Sequence, residues 1–501
     1  MACRRSPQPA PRRRRLRSVA RVAFTLPRST PSAEGVDPAG LSAFLDATDA
    51  ADDVELHSLM VLRHGRVIAE GWWAPYTRDR AHLLYSLSKS FTATAAGLAV
   101  ADGLLDLDAP VISYFPEFAA DVTDARSRRM LVRHVAAMAS GHRADTLDRA
   151  LRRDPAEPVR GFLLTPPDEE PGTVFAYNQP CTYTLAAIIQ KRAGATLTDY
   201  LAPRLFAPLG IEPYGWQQYP PGRDLGFSGF HATTAAVAHL GQLHLQRGRW
   251  DGRQLLSEEW VADATRRHVD NPDEPEPDWR QGYGFQFWMS RHGYRGDGAF
   301  GQFCVVLPEQ DVVVATTADA PDMQRVLDAV WDHLVPAVDA GPTAPTDRGA
   351  AERGTADREL AERLARAALP PVTADPEPVD PAAWSGAEFT VAPGQGDAPA
   401  TLTGLRLERT GDGWTVELVE DGARHPARVG TGTWHVSDGD AVPLAASGGW
   451  TAAGRFRADV IFLETPHRLR VEAGDGTCSA RWRTAPLHAP PLGELRRPRP
   501  A

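Results

Sequence analysis

Two stretches of nearly continuous hydrophobicity, each doubled back by a short polar turn, stand far apart in this chain. The first runs His57-Ser58-Leu59-Met60-Val61-Leu62, turns at Arg63-His64-Gly65-Arg66 and returns through Val67-Ile68-Ala69-Glu70-Gly71-Trp72-Trp73. The second runs from Phe303 to Leu307, turns at Pro308-Glu309-Gln310-Asp311 and returns from Val312 to Thr317. Such runs read as β-hairpins, and their lack of apolar–polar alternation implies a sheet covered on both faces. Between them, apolar residues recur with helical spacing at Leu87, Phe91, Ala95 and Leu98, at Leu185, Ile188 and Ile189, and at Val237, Leu240 and Leu243. Hairpins at both ends with helices between predict one antiparallel sheet built from both ends of a domain. Helices flank it and a helical lobe is inserted, an α/β fold of the α+β type.

The rest of the chain divides by composition. Residues 1–30 form a basic leader, in which Arg4, Arg5, Arg12, Arg13, Arg14, Arg15, Arg17 and Arg21 are eight of the nine arginines, and are expected to be disordered. The apolar stretch from Val19 to Leu26 is interrupted by Arg21 and too short for a secretion signal. Residues 31–339 hold the predicted sheet and helices, with Gly282 to Met289 reading as a further strand. Residues 340–370 read as a linker with a short helix near Glu359 to Ala368. From 371 to 492, short alternating strands such as Leu405-Arg406-Leu407 and Trp414-Thr415-Val416-Glu417-Leu418 predict an all-β domain, sandwich or barrel-like. Trp414, Trp434, Trp450 and Trp482 are its candidate core or interface aromatics, and 493–501 reads as a polar tail. The formal net charge of -10 argues against nucleic acid as a partner. No segment approaches a transmembrane helix. The four cysteines, Cys3, Cys181, Cys304 and Cys478, show no disulfide or metal spacing, and no histidine sits in a zinc-type motif, so no metal or cofactor is expected. A cytoplasmic protein is the default, with secretion as the alternative.

Ser86 and Lys89 open the first helical segment. At i and i+3 they share a helix face, and a serine at the start of a helix stands beside free backbone N–H groups that can stabilise an oxyanion. An isolated Ser-x-x-Lys more often means a helix cap beside a solvated cation. Lysine usage argues for chemistry, because Lys89 and Lys191 are the only lysines in a chain whose other basic positions are arginine. An arginine cannot release its proton and so cannot serve as a base.

Tyr85-Ser86-Leu87-Ser88-Lys89-Ser90-Phe91-Thr92, the Phe-x-Tyr loop ending at Tyr177, Pro208-Leu209-Gly210 and a late Gly-rich strand resemble the serine beta-lactamase and penicillin-binding-protein superfamily. The branch is the one shared by class C beta-lactamases, D-alanyl-D-alanine peptidases and related esterases. The resemblance spans roughly Pro31 to Val338 and implies a beta-lactamase/transpeptidase-like fold and an acyl-enzyme mechanism. It makes Ser86 the nucleophile and Lys89 and Tyr177 the candidates for its base. It draws one oxyanion N–H from Ser86 and the other from the late strand at Gly296, Asp297 and Gly298.

Two departures bear on substrate choice. The second motif, usually Tyr-x-Asn, reads Tyr177-Asn178-Gln179, so the amide is either Gln179 or a shifted Asn178. The third motif, Lys-Thr-Gly or His-Thr-Gly in relatives, falls in Tyr294-Arg295-Gly296-Asp297-Gly298 without its cation, unless Arg295 replaces it. The expected substrate is therefore a small ester or amide. A true beta-lactamase or D-alanyl-D-alanine peptidase is one alternative, and a ligand-binding or sensing protein that keeps the fold without turnover is another.

Overall fold

The structure, a computed structural model, describes residues 26–339, 347–377, 381–392, 398–411, 413–439 and 441–499. Most of the basic leader, the start of the linker and the last two residues lie outside them. The first hairpin pairs β1 (Glu55–Arg63) with β2 (Arg66–Trp72). Its partners come from late in the chain: β3 (Trp288–Met289), β4 (Tyr294–Gly298), β5 (Gln302–Leu307) and β6 (Val312–Asp319). They form one 6-stranded sheet in the order β2-β1-β6-β5-β4-β3. Every pairing is antiparallel, and the seam between the two ends of the chain sets Met60 opposite Ala315 and Leu62 opposite Val313.

Both faces are covered, as the unbroken apolar runs predicted. On the outer face Leu59, Val61, Val305 and Val314 pack in one core with α1 (Pro38–Asp49) and α5 (Met323–Ala329). On the inner face Met60, Leu62, Cys304 and Val306 join a larger core with α2 (Ser88–Ala101), α3 (Gln179–Ala193) and α4 (Thr234–Leu245). This inner face carries the Ser86 segment.

Three local expectations are corrected. Of Gly282 to Met289 only β3 pairs regularly, because Gln286 has φ 61° and turns the chain. Its amide instead donates to Val135 O and Ala136 O in the helical lobe. The linker helix, α6, spans Asp347–Ala365 rather than beginning near Glu359, and it buries Leu360 and Leu364 against the outer core. The polar tail packs. Leu495 is buried, and the Arg497 side chain reaches Tyr214 O at 3.2 Å.

The β region contains β7 (Glu388–Val391), β8 (Leu402–Thr410), β9 (Gly413–Glu420), β10 (Ala423–Gly430), β11 (His435–Ser437), β12 (Leu444–Trp450), β13 (Phe456–Phe462), β14 (Arg468–Gly474) and β15 (Thr477–Trp482). Their order is β10-β9-β8-β7-β15-β14-β13-β12-β11, and β10 also pairs with β12, which closes the sheet into a barrel. Trp414 and Trp450 fill its core. Trp434 faces the other way and donates to Leu369 O at 2.9 Å. Among the described residues no helix is long and apolar enough to cross a membrane.

Barrel and main sheet share apolar packing. Ala445, Ile461 and Leu463 belong to the outer core of the sheet. Polar bonds cross the same boundary: Leu83 N to Glu464 O at 2.8 Å, the Tyr76 hydroxyl to Thr465 O at 3.1 Å, and Arg468 to Glu55 at 2.7 Å. Truncation of a fully buried isoleucine costs about 2–5 kcal/mol. Ile461→Ala is therefore expected to lower the stability of the whole chain by that amount in urea unfolding monitored by tryptophan fluorescence. A loss confined to a separately melting barrel would show that the two regions are not coupled.

Candidate active site

The reactive segment begins two residues before its helix. Tyr85–Leu87 form a 3₁₀ turn and α2 begins at Ser88, which corrects the reading that started the helix at Ser86. The tight turn results from Tyr85, whose φ of 47° is left-handed, and from the bond of Leu87 N to Leu84 O at 3.1 Å. The hydroxyl of Ser88 closes the turn, donating to Tyr85 O at 2.5 Å and accepting from Phe230 N at 3.1 Å. Ser90 and Thr92 donate to Gln286 O and Gly226 O, at 3.0 and 2.8 Å, and so fasten α2 to the loops around it. These small polar residues suit a helix that is buried on every side over most of its length.

Lys89 is 1% exposed. Its Nζ donates to Ser86 Oγ at 3.0 Å, Gln179 Oε1 at 2.7 Å and Phe227 O at 2.8 Å. Burial pulls its ammonium down to about 7, against the negative charges of Asp145 and Asp297, which favour the charged form. Nζ also lies 4.7 Å from the centre of the Tyr177 ring. Tyr177 stacks on Trp288 at 5.3 Å and meets Tyr283 edge-on. Its phenol is pushed well up, first by burial and then by Asp297, while a hydrogen bond with Ser86 acts in the opposite direction.

The second-motif ambiguity has a geometric answer. Asn178 is buried and points into the helical lobe, where Oδ1 accepts from Thr146 N at 2.8 Å and Thr146 Oγ1 at 2.9 Å. Gln179, the first residue of α3, is the amide that reaches Lys89.

The late strand lies directly against the reactive turn. A Cβ on Gly298 would stand 2.1 Å from Leu84 O, and one on Gly296 would stand 2.7 Å from Ser90 Oγ. Asp297 is 8% exposed, and burial raises its carboxyl despite the opposing Arg295. Arg295 does not replace the missing third-motif cation. It is fully buried, its Nε bonds Asp297 at 2.9 Å, and its Nη1 serves Asp278 O, Met289 O and Ser290 Oγ. Beside Tyr85 and Ser228 lies a cavity of about 910 Å³, walled by Trp216, Leu225 and the packed tail. Among the described residues no three His, Cys, Asp or Glu side chains gather as a metal site.

The structure therefore brings together Ser86, Lys89, Tyr177, Gln179, Gly296, Asp297 and Gly298, and leaves Asn178 outside. The sequence reading missed Phe227, whose contribution is a backbone carbonyl and leaves no residue signature. It also missed Asp145 and Trp288 as neighbours of the amine and phenol. The charged loop and the aromatic stretch they belong to were visible, but not their direction.

Residues 44–337 match the family model described as Beta-lactamase. The chain is 28% identical over 287 residues to 6-aminohexanoate-dimer hydrolase of Paenarthrobacter ureafaciens, covering 53% of this chain and 73% of that one. It is 27% identical over 326 residues to penicillin-binding protein 4 of Amycolatopsis lactamdurans, covering 56% and 80%. Esterase EstB of Burkholderia gladioli is 28% identical over 220 residues, covering 38% and 56%. A solved chain from Bacteroides dorei DSM 17855, provisionally titled a beta-lactamase, superposes with a TM-score of 0.51 at 17% identity, covering 60% of this chain and 99% of that one. At that identity the likeness is one of fold.

Gly298→Ala forces β4 off the Ser86 turn, since the atom met is backbone. A displacement of about 1 Å is enough to cost roughly 100-fold in a positioned reaction. The labelling rate of Ser86 by a fluorophosphonate, read by intact mass, is expected to fall by that factor with an unchanged circular dichroism spectrum. Labelling at the wild-type rate would separate the strand from the site.

Proposed function

The chain belongs to the beta-lactamase family of serine hydrolases, and on that footing we propose that it cleaves a small ester or amide through an acyl intermediate on Ser86. The observation that carries the reading is the 3.0 Å contact between the buried Lys89 amine and the Oγ of the partly exposed Ser86. With its ammonium drawn down to about 7, a large share of Lys89 is neutral at physiological pH. The neutral amine keeps two N–H groups for Gln179 and Phe227 and turns its lone pair to Ser86, whose proton it takes as Oγ attacks the carbonyl.

The N–H of Ser86 and one from the end of β4 hold the oxyanion. Tyr177, with its phenol pushed up, stays protonated at neutral pH and suits proton donation to the leaving group rather than the role of base. Lys89 then restores that proton, and the same pair prepares water for deacylation. The assigned catalytic residues are thus Ser86, Lys89 and Tyr177, with Gln179 as the amide that fixes the lysine.

Substrate class follows from charge. In the stretch where the third motif falls this chain has no lysine or histidine, and the guanidinium of Arg295 is fully buried and bonded to Asp297 through Nε. A substrate carboxylate finds no free cation there, so uncharged esters and amides are favoured over penicillins and peptide C-termini. The relatives' printed names, a 6-aminohexanoate-dimer hydrolase and an esterase among them, support that range. We take 31–339 as the catalytic unit and 371–492 as the barrel unit, with no nucleic-acid partner. A cytoplasmic location fits three buried, unpaired cysteines, and secretion is the alternative.

A panel of p-nitrophenyl esters, nitrocefin and D-Ala-D-Ala peptides tests the substrate assignment. The esters are expected to turn over fastest, and preference for nitrocefin or the peptide would move the chain to the beta-lactamase or peptidase reading. Wild type is expected to take up a fluorophosphonate at Ser86 while Ser86→Ala takes up none. Absence of any wild-type adduct would favour a binding protein. Because the working form of Lys89 is the neutral one, kcat/KM for a neutral ester should rise with pH to a plateau, with an apparent pKa of about 7. Lys89→Arg, charged at every pH, should lose about 100- to 10,000-fold. A flat profile from about pH 6 to about pH 8 would remove the lysine from the proton transfer.

A further inference from the structure

Tyr85, immediately before the nucleophile, is a bulky residue with φ 47°, a conformation that persists only where the surroundings hold it. Beyond the local bonds of Ser88 and Leu87, part of what holds it comes from the barrel. His467 leads into β14 and is fully buried. Its Nδ1 stands 3.0 Å from Thr484 O, and its Nε2 stands 2.5 Å from the Tyr85 hydroxyl. A carbonyl only accepts, so Nδ1 carries the ring proton and donates it. Burial draws the imidazolium down to about 3, so the ring is neutral and Nε2 is a bare acceptor. The Tyr85 phenol, pushed up by its own burial, donates to that nitrogen. The proton direction along the path is therefore fixed from Tyr85 to His467 and from His467 to Thr484.

The same imidazole touches the opposite wall of the site. Phe300 lies in the loop leaving β4, two residues past Gly298, and has φ 67°. Its ring meets Tyr85 edge-on at 5.4 Å and His467 at 5.7 Å. Its carbonyl accepts from Ala320 N at 3.1 Å, which ties the loop to the end of β6. One barrel side chain thus packs against both the turn that carries Ser86 and the loop that follows the late strand.

We infer that His467 is a positioning residue for the nucleophile. Its bond to Tyr85 and its contact with Phe300 hold the Ser86 turn and the end of β4 at the spacing the oxyanion needs, which makes the barrel a working part of the active site. The inference rests on the reading of Ser86 as the acylated serine. His467 touches no reacting atom and acts only through its two neighbours.

The test uses the full chain. His467→Ala is expected to lower kcat for ester hydrolysis about 30- to 100-fold with KM within about threefold, and to slow fluorophosphonate labelling of Ser86 by the same factor. His467→Gln can accept from Tyr85 through Oε1 and donate to Thr484 through Nε2, and should recover most of the loss. Tyr85→Phe should lose part of the rate alone and add less on top of His467→Ala than it costs alone, since both remove the Tyr85–His467 bond while Tyr85→Phe also removes the phenol's bond with the Leu487 backbone. Amide hydrogen exchange at residues 84–88, which needs no turnover, should speed up in His467→Ala and stay near wild type in His467→Gln.

Wild-type kcat together with unchanged exchange in His467→Ala overturns the proposal. Should His467→Ala fail to fold, Tyr85→Phe decides, and unimpaired turnover with unchanged exchange in that variant overturns it equally. If wild type neither turns over nor takes a label, the acyl-enzyme reading is what fails, and the exchange at 84–88 still decides the positioning role.

Discussion

An amine sealed from water at Lys89 is the constraint around which the inner face of the sheet is arranged. Burying a full ammonium is costly unless its donors are matched, and the three acceptors around Nζ supply the match without supplying a formal charge. An adjacent carboxylate bonded to the amine would have stabilised the ammonium and removed it from proton transfer. Asp145 and Asp297 act on it only through space. Gln179 therefore serves better than an acidic residue would, and its place at the first turn of α3 makes the orientation of that helix part of the lysine's chemistry.

The neighbouring Arg295 and Asp297 show the complementary solution. Their charges cancel in a buried pair, with the guanidinium stacked 4.3 Å from the Trp279 ring. The pair is buried along β4, so its guanidinium is held inside the protein rather than on the surface. Gly296 and Gly298, on either side of Asp297, keep the strand close to the reactive turn. Strand closeness and charge neutrality thus come from alternate positions of a single strand, as the two-residue side-chain period allows.

The sheet, its two covered faces and the closing of its seam were legible because hydrophobic runs such as Val312 to Thr317 carry their meaning locally. Ser86 and Lys89 were legible because three residues on a helical turn fix a direction. Asn178 and Gln179 were not separable, since the rotation of α3 that decides between them is set by packing against Thr146 and Lys89, far away in sequence. Arg295 looked available for the opposite reason: nothing local announces that Trp279, Ser290 and Asp297 will enclose it. The role of His467 was wholly hidden, because a single histidine in a turn between two strands has no pattern of its own.

The seam between β1 and β6 also orders events in time. Leu62 pairs with Val313, so at about 5–20 residues per second a ribosome makes the first strand roughly 10–50 s before its partner exists. Through that interval the hairpin offers an open edge, and α2 lacks the sheet that buries it. Such long-range pairings fold slowly and need protection while incomplete. The partner of Tyr85 is synthesised later still, in the barrel. A nascent chain therefore carries Ser86 long before it carries the β6 strand and the His467 side chain that pack around its turn.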